Sequence, residues 1–139
     1  MRILDTNVFI RAITDDDARA SGLAQALFRR LEHEERHALV TEAVVAEVVY
    51  VLSSRVLYGF SREEVHSKLG YLLSLPGIVV ENRSRCIRAL DLFVEQRQLS
   101  YVDALVATAA MEQTPSEVYS FDLGFDRVDG LTRLEPVAF

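Results

Sequence analysis

Residues 2–10 have the sequence RILDTNVFI, in which two apolar runs are separated by the polar residues Asp5-Thr6-Asn7. The first run predicts a short strand over residues 2–4, and the second predicts a short helix that ends before the polar residues 14–17. A strand that leads into a helix is the repeating unit of parallel sheets. We therefore expect strands and helices to alternate along the rest of the chain.

The remaining hydrophobic pattern continues this alternation. Further strands are predicted at residues 37–40, 78–80, 117–121 and 131–134, and helices at residues 18–34, 42–57, 61–74, 82–98 and 100–113. No tight hairpin signal separates the strands, which favours parallel pairing. The predicted fold class is α/β, with helices flanking a central, mostly parallel sheet of four to five strands in three layers.

Two local patterns add detail to the predicted helices. Leu23, Leu27 and Leu31 are four residues apart, and with Ala24 and Phe28 alongside they define an apolar face on the helix at residues 18–34. Ser61 and Glu64 have the spacing of a capping box, which predicts a helix start at this point. These features indicate local helix geometry.

Length and composition limit the possible classes of protein. The chain has 139 residues, of which 50% are hydrophobic, so we predict one folded domain that spans residues 1–139. No apolar run approaches the ~18 residues of a membrane span, and Asp5 interrupts the N-terminus too early for a secretory signal. We expect a cytoplasmic protein. A net charge of −6 would ordinarily argue against a nucleic-acid partner.

Four acidic residues occupy unusual positions in this pattern. Asp5 and Asp122 directly follow predicted strands, at the edge where parallel sheets bind ligands. Glu47 has apolar neighbours one helical turn away on both sides, which predicts that its carboxylate points inward. Asp103 stands at the start of an almost wholly apolar helix. The competing interpretations are helix capping for the three aspartates and a buried salt bridge for Glu47.

Carboxylates without histidine or cysteine partners are hard oxygen ligands, which suit Mg²⁺ or Mn²⁺. A bound divalent ion would also offset the repulsion between the four charges. Excluding these four leaves 17 of the 21 acidic residues against 15 basic ones, a net charge near −2. The acidity of the chain therefore no longer excludes a phosphodiester substrate.

The chain resembles the PIN-domain family of metal-dependent ribonucleases, and within it the VapC-like toxins of toxin–antitoxin pairs. The segments that carry the resemblance are Asp5-Thr6-Asn7, Val45-Ala46-Glu47-Val48, Tyr101-Val102-Asp103-Ala104-Leu105-Val106-Ala107 and Ser120-Phe121-Asp122-Leu123-Gly124-Phe125. They extend over essentially the whole chain. The resemblance implies a PIN-like fold and a catalytic, metal-binding quartet that consists of Asp5, Glu47, Asp103 and Asp122.

The resemblance also implies supporting residues around this quartet. Thr6 and Ser120 would orient carboxylates through their hydroxyl groups, and Asn7 would support Asp5. Position 120 holds Ser where Thr is commoner in the family, which retains the hydroxyl. Asp126 is a further acid that could share the role of Asp122.

The function implied is hydrolysis of RNA phosphodiester bonds with one or two Mg²⁺ or Mn²⁺ ions. A VapC-like toxin would form a homodimer and would bind an antitoxin, with the helices at residues 18–34 and 61–74 as candidate groove walls. The alternatives are a housekeeping RNA-processing nuclease and a catalytically inert PIN-like binding module. A phosphatase of the haloacid dehalogenase type is disfavoured, because Asn7 stands where its second aspartate is required.

Three arginines crowd the predicted start of the helix at residues 82–98: Arg83, Arg85 and Arg88. Cations are disfavoured at this end of a helix dipole, so a contact with substrate phosphate is one interpretation. The other is a solvated helix face.

Overall fold

A computed structural model describes residues 1–137 of the chain. The chain divides into two compact units, Met1–Arg83 and Ser84–Phe139, and each is described by itself. The first unit consists of β1 (Arg2–Ile3), α1 (Thr6–Ile13), α2 (Ala18–Glu32), β2 (Ala38–Val40), α3 (Glu42–Ser53), α4 (Arg62–Leu73) and β3 (Ile78–Val80). From Ser84 onward come most of α5 (Arg83–Glu95), then α6 (Tyr101–Met111), β4 (Glu117–Tyr119), a 3₁₀ helix (Leu123–Arg127) and β5 (Thr132–Leu134).

The first unit is built on a parallel sheet with the order β1-β2-β3. Arg2 pairs with Ala38, and Ala38 pairs in turn with Ile78, so the three strands run in register. Leu4 N–H donates to Leu39 O at 2.9 Å and extends the pairing by one residue beyond β1. All three strands therefore end at the same edge of the sheet.

Helix α2 packs on the predicted apolar face except at one position. Ala24, Phe28 and Leu31 are buried, and the ring of Phe28 lies 5.2 Å from that of Phe9 on α1. Leu23 is 58% exposed, so the predicted face was wrong at this position. The i, i+4, i+7 spacing of the buried residues follows the helix period more closely than a spacing of four throughout.

Helix α3 starts where predicted but ends four residues early. Thr41 Oγ1 accepts a hydrogen bond from Val44 N–H at 3.2 Å and caps the helix. At the other end Ser53 Oγ donates to Val49 O, and Gly59, with φ +63°, donates its N–H to Ser54 O. Serine hydroxyls that bond to the main chain compete with helix geometry, and the glycine then closes a turn.

The capping box that opens α4 is confirmed. Ser61 Oγ accepts from Glu64 N–H, and Glu64 Oε1 accepts from Ser61 N–H, both at 3.1 Å. Val65, Leu69 and Leu72 on the same helix are buried. The interpretation of this segment from its sequence therefore holds for both its start and its inner face.

The second unit pairs β4 with β5 in parallel, with Val118 opposite Arg133. Ser120 N–H donates to Leu134 O at 3.0 Å, which continues the pairing past the end of β4. Cys86, Ala89 and Phe93 of α5 are buried, and Tyr101 on α6 donates its hydroxyl to Cys86 O at 3.0 Å. This contact ties the starts of the two helices together.

The predicted α/β class and the parallel pairing of the strands are confirmed. The five predicted strands form a sheet of three and a pair of two, and each strand is only two or three residues long. Within residues 1–137, no helix is both long and apolar enough to cross a membrane.

Candidate active site

Asp5 lies at the end of β1 and occupies the N-cap position of α1. Its side chain makes no capping hydrogen bond, although Asp17 at the start of α2 does cap its helix through Ala20 N–H. The capping interpretation is therefore wrong for Asp5. Because the residue is also exposed, its carboxylate is available to a ligand.

Glu47 lies on the exposed side of α3, so the predicted inward orientation was wrong. Val45, Val48 and Val49 take the buried positions. The apolar residues one turn away from Glu47 did not mark an inner face, because Ala43 and Tyr50 are themselves exposed. A buried salt bridge is excluded as well, since the side chain is not buried.

The supporting residues Thr6 and Asn7 begin α1. Thr6 is buried at the first helical position, and Asn7 is exposed beside it. The motif therefore presents Asp5 and Asn7 at the surface and anchors the chain through Thr6.

Two further acids, Glu81 and Glu42, lie near this edge of the sheet and were not predicted from the sequence. Glu81 directly follows β3, and its Oε1 accepts from Glu42 N–H at 3.1 Å. Asn82 Nδ2 donates to Glu42 Oε2 at 3.0 Å. The rule that singled out Asp5, an acid directly after a parallel strand, would also have singled out Glu81. These hydrogen bonds join the end of β3 to the start of α3.

Asp103 in the second unit forms the capping box that was its competing interpretation. Ser100 Oγ accepts from Asp103 N–H at 3.1 Å, and Asp103 Oδ2 accepts from Ser100 N–H at 3.4 Å. The second of these bonds is long and weak. Only Oδ2 of half-buried Asp103 takes part in the capping box.

Asp122 is the N-cap of the 3₁₀ helix, and its Oδ1 accepts from Gly124 N–H at 2.8 Å. Ser120 Oγ accepts from Asp122 N–H at 2.9 Å. The Ser120 hydroxyl therefore contacts the main chain of Asp122, whereas the resemblance implied a contact with a carboxylate. Both bonds fix the backbone around Asp122.

Arg133 on β5 contacts the loop at residues 120–126, which contains Asp122. This residue was not predicted from the sequence to belong to the site. Its guanidinium donates to both carboxylate oxygens of Asp126, at 2.9 and 3.4 Å, and to Ser120 O at 3.0 Å. The hydrogen bond with Asp126 raises the pKa of Arg133, so the guanidinium stays charged. Gln98 Nε2 donates to Gly124 O at 3.0 Å. These partners are distant in sequence, and no local pattern reveals them.

The three arginines of α5 have different surroundings. Arg83 and Arg88 are both exposed, but Arg83 Nη1 donates to Leu73 O at 2.6 Å. Arg85 binds both oxygens of Glu112, at 2.7 and 3.2 Å, and this hydrogen bonding lowers the pKa of Glu112. Arg88 therefore remains the best placed of the three for a substrate phosphate.

The acids have the donor chemistry of a magnesium or manganese site, because carboxylate oxygens are the ligands these ions prefer. Within residues 1–137, however, no three Asp, Glu, His or Cys side chains form a group that could hold a metal ion. The carboxylate oxygens are therefore of the type that binds a divalent ion, but the side chains of residues 1–137 are not already arranged around a metal-binding position.

A model of the PIN domain family matches residues 2–131. The chain belongs to the PIN domain family. This confirms the family-level prediction, and the matched range contains the four acids and Asp126. PIN domains are generally nucleases, so membership indicates a nuclease-type function on nucleic acid. No curated protein gives a significant match to this PIN-domain chain.

Proposed function

We propose that this PIN-domain protein is a metal-dependent ribonuclease that hydrolyses RNA phosphodiester bonds. Asp5, Glu47, Asp103 and Asp122 are its catalytic residues and the ligands of one or two Mg²⁺ or Mn²⁺ ions. The match to the PIN domain family over residues 2–131 carries the proposal. The exposed position of Asp5, without a capping bond, supports it from the structure.

When bound, a divalent ion lowers the pKa of water and offsets charge on the phosphate. The four carboxylates would hold the ion, and a carboxylate that is not a ligand would act as general base and accept a proton from water. Asn7 and Thr6 support Asp5, while Ser120 and Asp126 keep the Asp122 loop in place. Arg83, Arg85 and Arg88 are proposed phosphate contacts, of which exposed Arg88 is the best candidate.

The test of this activity is cleavage of single-stranded RNA with Mg²⁺ or Mn²⁺, with and without a chelator. We expect chelation to stop cleavage and Asp5→Asn, Glu47→Gln or Asp103→Asn to remove it. Asn at position 103 retains a side-chain oxygen for the Ser100 N–H, so the fold is expected to persist. Asp15→Asn is the matched control, because Asp15 is an exposed aspartate outside the quartet.

Thermal unfolding tests the metal independently of activity. A ligand that binds only the folded state stabilises it by ~2.7 kcal/mol at a hundredfold excess over its dissociation constant. We expect Mg²⁺ or Mn²⁺ to raise the melting temperature of the parent and of Asp15→Asn, but not that of Asp5→Asn. A parent melting temperature that does not respond to either ion would contradict the proposed metal site.

We further propose that the nuclease is a VapC-like toxin that acts in the cytoplasm and is silenced by an antitoxin. Support comes from a groove of about 350 Å³ between α2 and α4, the two helices expected to line it. Buried Phe28, Leu72 and Leu75 contribute to its lining, and Arg29, Lys68 and Glu32 are exposed beside them. An amphipathic helix with apolar anchors, and with acidic residues placed against Arg29 and Lys68, would fit such a groove.

Expression of the chain alone in a bacterial host tests the toxin role. Growth arrest that Asp5→Asn abolishes, and that the neighbouring gene suppresses, would support it. Ala12→Arg, within the groove, should weaken that suppression without loss of cleavage, whereas Ser67→Arg, outside the groove lining, should not. Harmless accumulation of an active enzyme would instead indicate a housekeeping nuclease, and a chain without activity an inert binding module. We also propose that the protein forms a homodimer. Light scattering, which gives the molar mass in solution, tests this.

A further inference from the structure

Two aromatic side chains at the end of β4 are unusually exposed. Phe121 is 73% exposed and Tyr119 is 64% exposed, whereas Val118 between Glu117 and Tyr119 is buried. This alternation continues through half-buried Ser120, whose N–H still pairs with Leu134 O. Tyr119 is the last residue of β4, and Phe121 follows at the bend just beyond it. We call these two exposed residues, two positions apart in the chain, the aromatic pair.

The backbone that carries this pair is held on both sides. Ser120 is fixed through its hydroxyl, which accepts from Asp122 N–H at 2.9 Å, and through its carbonyl, which accepts from Arg133 at 3.0 Å. Asp122 is fixed in turn through Gly124 N–H at 2.8 Å. Phe121 stands between these two anchored residues, so the backbone that carries its exposed ring is held directly before Asp122 in the chain.

We propose that Phe121 and Tyr119 form a stacking surface for unpaired bases of the RNA next to the scissile phosphate. The inference rests on the proposed nuclease function, because Asp122 is what places the phosphate nearby. Exposed aromatic rings stack on any base, since every base has a free π face when it is unpaired. A base in a duplex is already stacked and cannot reach the pair. The surface therefore selects single-stranded RNA without strong sequence preference.

The chain contains no tryptophan, so Phe121→Trp introduces a single fluorescent reporter on this surface. In the Asp5→Asn background, which keeps RNA intact, a single-stranded 12-mer should quench the emission of this residue. The same sequence as a duplex should leave it unchanged. Val56→Trp is the control, because Val56 is 91% exposed and lies outside the pair. Equal quenching of both variants would mean non-specific association and would overturn the proposal.

Steady-state cleavage provides the second readout. Loss of one stacked base costs about fivefold or more in affinity, so Phe121→Ala should raise KM by about that factor and change kcat less. Phe121→Tyr should restore the parent KM, because it retains the ring. If the parent cleaves RNA but Phe121→Ala leaves KM unchanged, the proposed stacking surface is contradicted and the proposed nuclease activity is supported. If the parent does not cleave RNA but the emission of Phe121→Trp is quenched, the proposed nuclease activity is contradicted and the proposed binding surface is supported.

A second copy of the chain could also cover an exposed aromatic pair. In that case the emission of Phe121→Trp would change with protein concentration in the absence of RNA, and RNA would have no further effect. That result would overturn the assignment to nucleic acid. An emission that is independent of protein concentration and is quenched by single-stranded RNA supports it.

Discussion

A side chain at Gly124 would be in tight contact with the Asp122 loop. A Cβ atom there would lie 3.0 Å from Asp122 Oδ1, 3.3 Å from Gln98 Cγ and 3.4 Å from Leu99 Cδ2. Gly124→Ala should therefore displace the Asp122 carboxylate by a few tenths of an ångström. We expect kcat to fall by about tenfold, since a 1 Å misplacement can cost about a hundredfold, with stability changed by about 1 kcal/mol at most.

Cleavage rates and melting temperatures of the purified variants check this expectation. Gly22→Ala is the matched control, because a Cβ at Gly22 meets nothing within 4 Å. Unchanged kcat in Gly124→Ala would show that the position of the Asp122 carboxylate does not matter to the reaction.

The sequence predicted the position of Asp5 correctly, but it did not predict the orientation of Glu47. The position of Asp5 at a strand end follows from local order along the chain, and it was predictable. The orientation of Glu47 depends on which side of α3 the rest of the chain covers, and its apolar neighbours Ala43 and Tyr50 lie on the uncovered side. Tertiary packing decides this, and hydrophobicity within one helix does not reveal it.

Gly77, just before β3, is buried where two stretches of backbone come close together. A Cβ atom there would lie 2.5 Å from both Arg36 O and Leu31 O, and Leu31 O is held in place by the N–H groups of Gly77 and Glu34. Gly77→Ala should therefore lower the free energy of unfolding by about 2 kcal/mol or more, as overpacking does. Gly70→Ala in α4 meets nothing within 4 Å and should instead raise it by about 0.5–1 kcal/mol.

Urea unfolding of both variants measures these changes. Equal free energies of unfolding for Gly77→Ala and the parent would contradict the close approach described for Gly77. A destabilised Gly70→Ala would show that its surroundings are more crowded than the structure indicates.

Helix starts were easier to predict than helix ends. Ser61 with Glu64 forms a local hydrogen-bonding pattern that the sequence shows directly, and it was predicted. The end of α3 depends on Ser53, whose hydroxyl bonds to Val49 O, and on Gly59 closing a turn. Apolar residues continue past this point, so a pattern based on hydrophobicity extends the helix too far.

One domain over residues 1–139 remains a prediction, and equilibrium unfolding tests it. The second compact unit has 56 residues, from Ser84 onward, which is below the size at which a single core supplies much stability. We therefore expect one cooperative transition, with equal calorimetric and van't Hoff enthalpies. Two separate transitions would show that the units unfold independently.

The α/β fold class could be predicted from the alternation of strands and helices. The separation of the five strands into a sheet of three and a pair could not be predicted. Strands of two or three residues leave too few positions for a periodic pattern to indicate which strands pair. The contacts of Arg133 with Ser120 and Asp126 were hidden for a related reason, since a basic residue on a strand does not indicate its acidic partner.

The distribution of the acids along the chain has a consequence for translation. Glu47 belongs to the first 83 residues, and Asp122 is made about 75 residues after it. At roughly 5–20 residues per second, a ribosome takes about 4–15 s to cover that interval. If all four carboxylates are required, a nascent chain cannot cleave the messenger or the ribosomal RNA before Asp122 has been added, and any product that terminates before Asp122 is inactive.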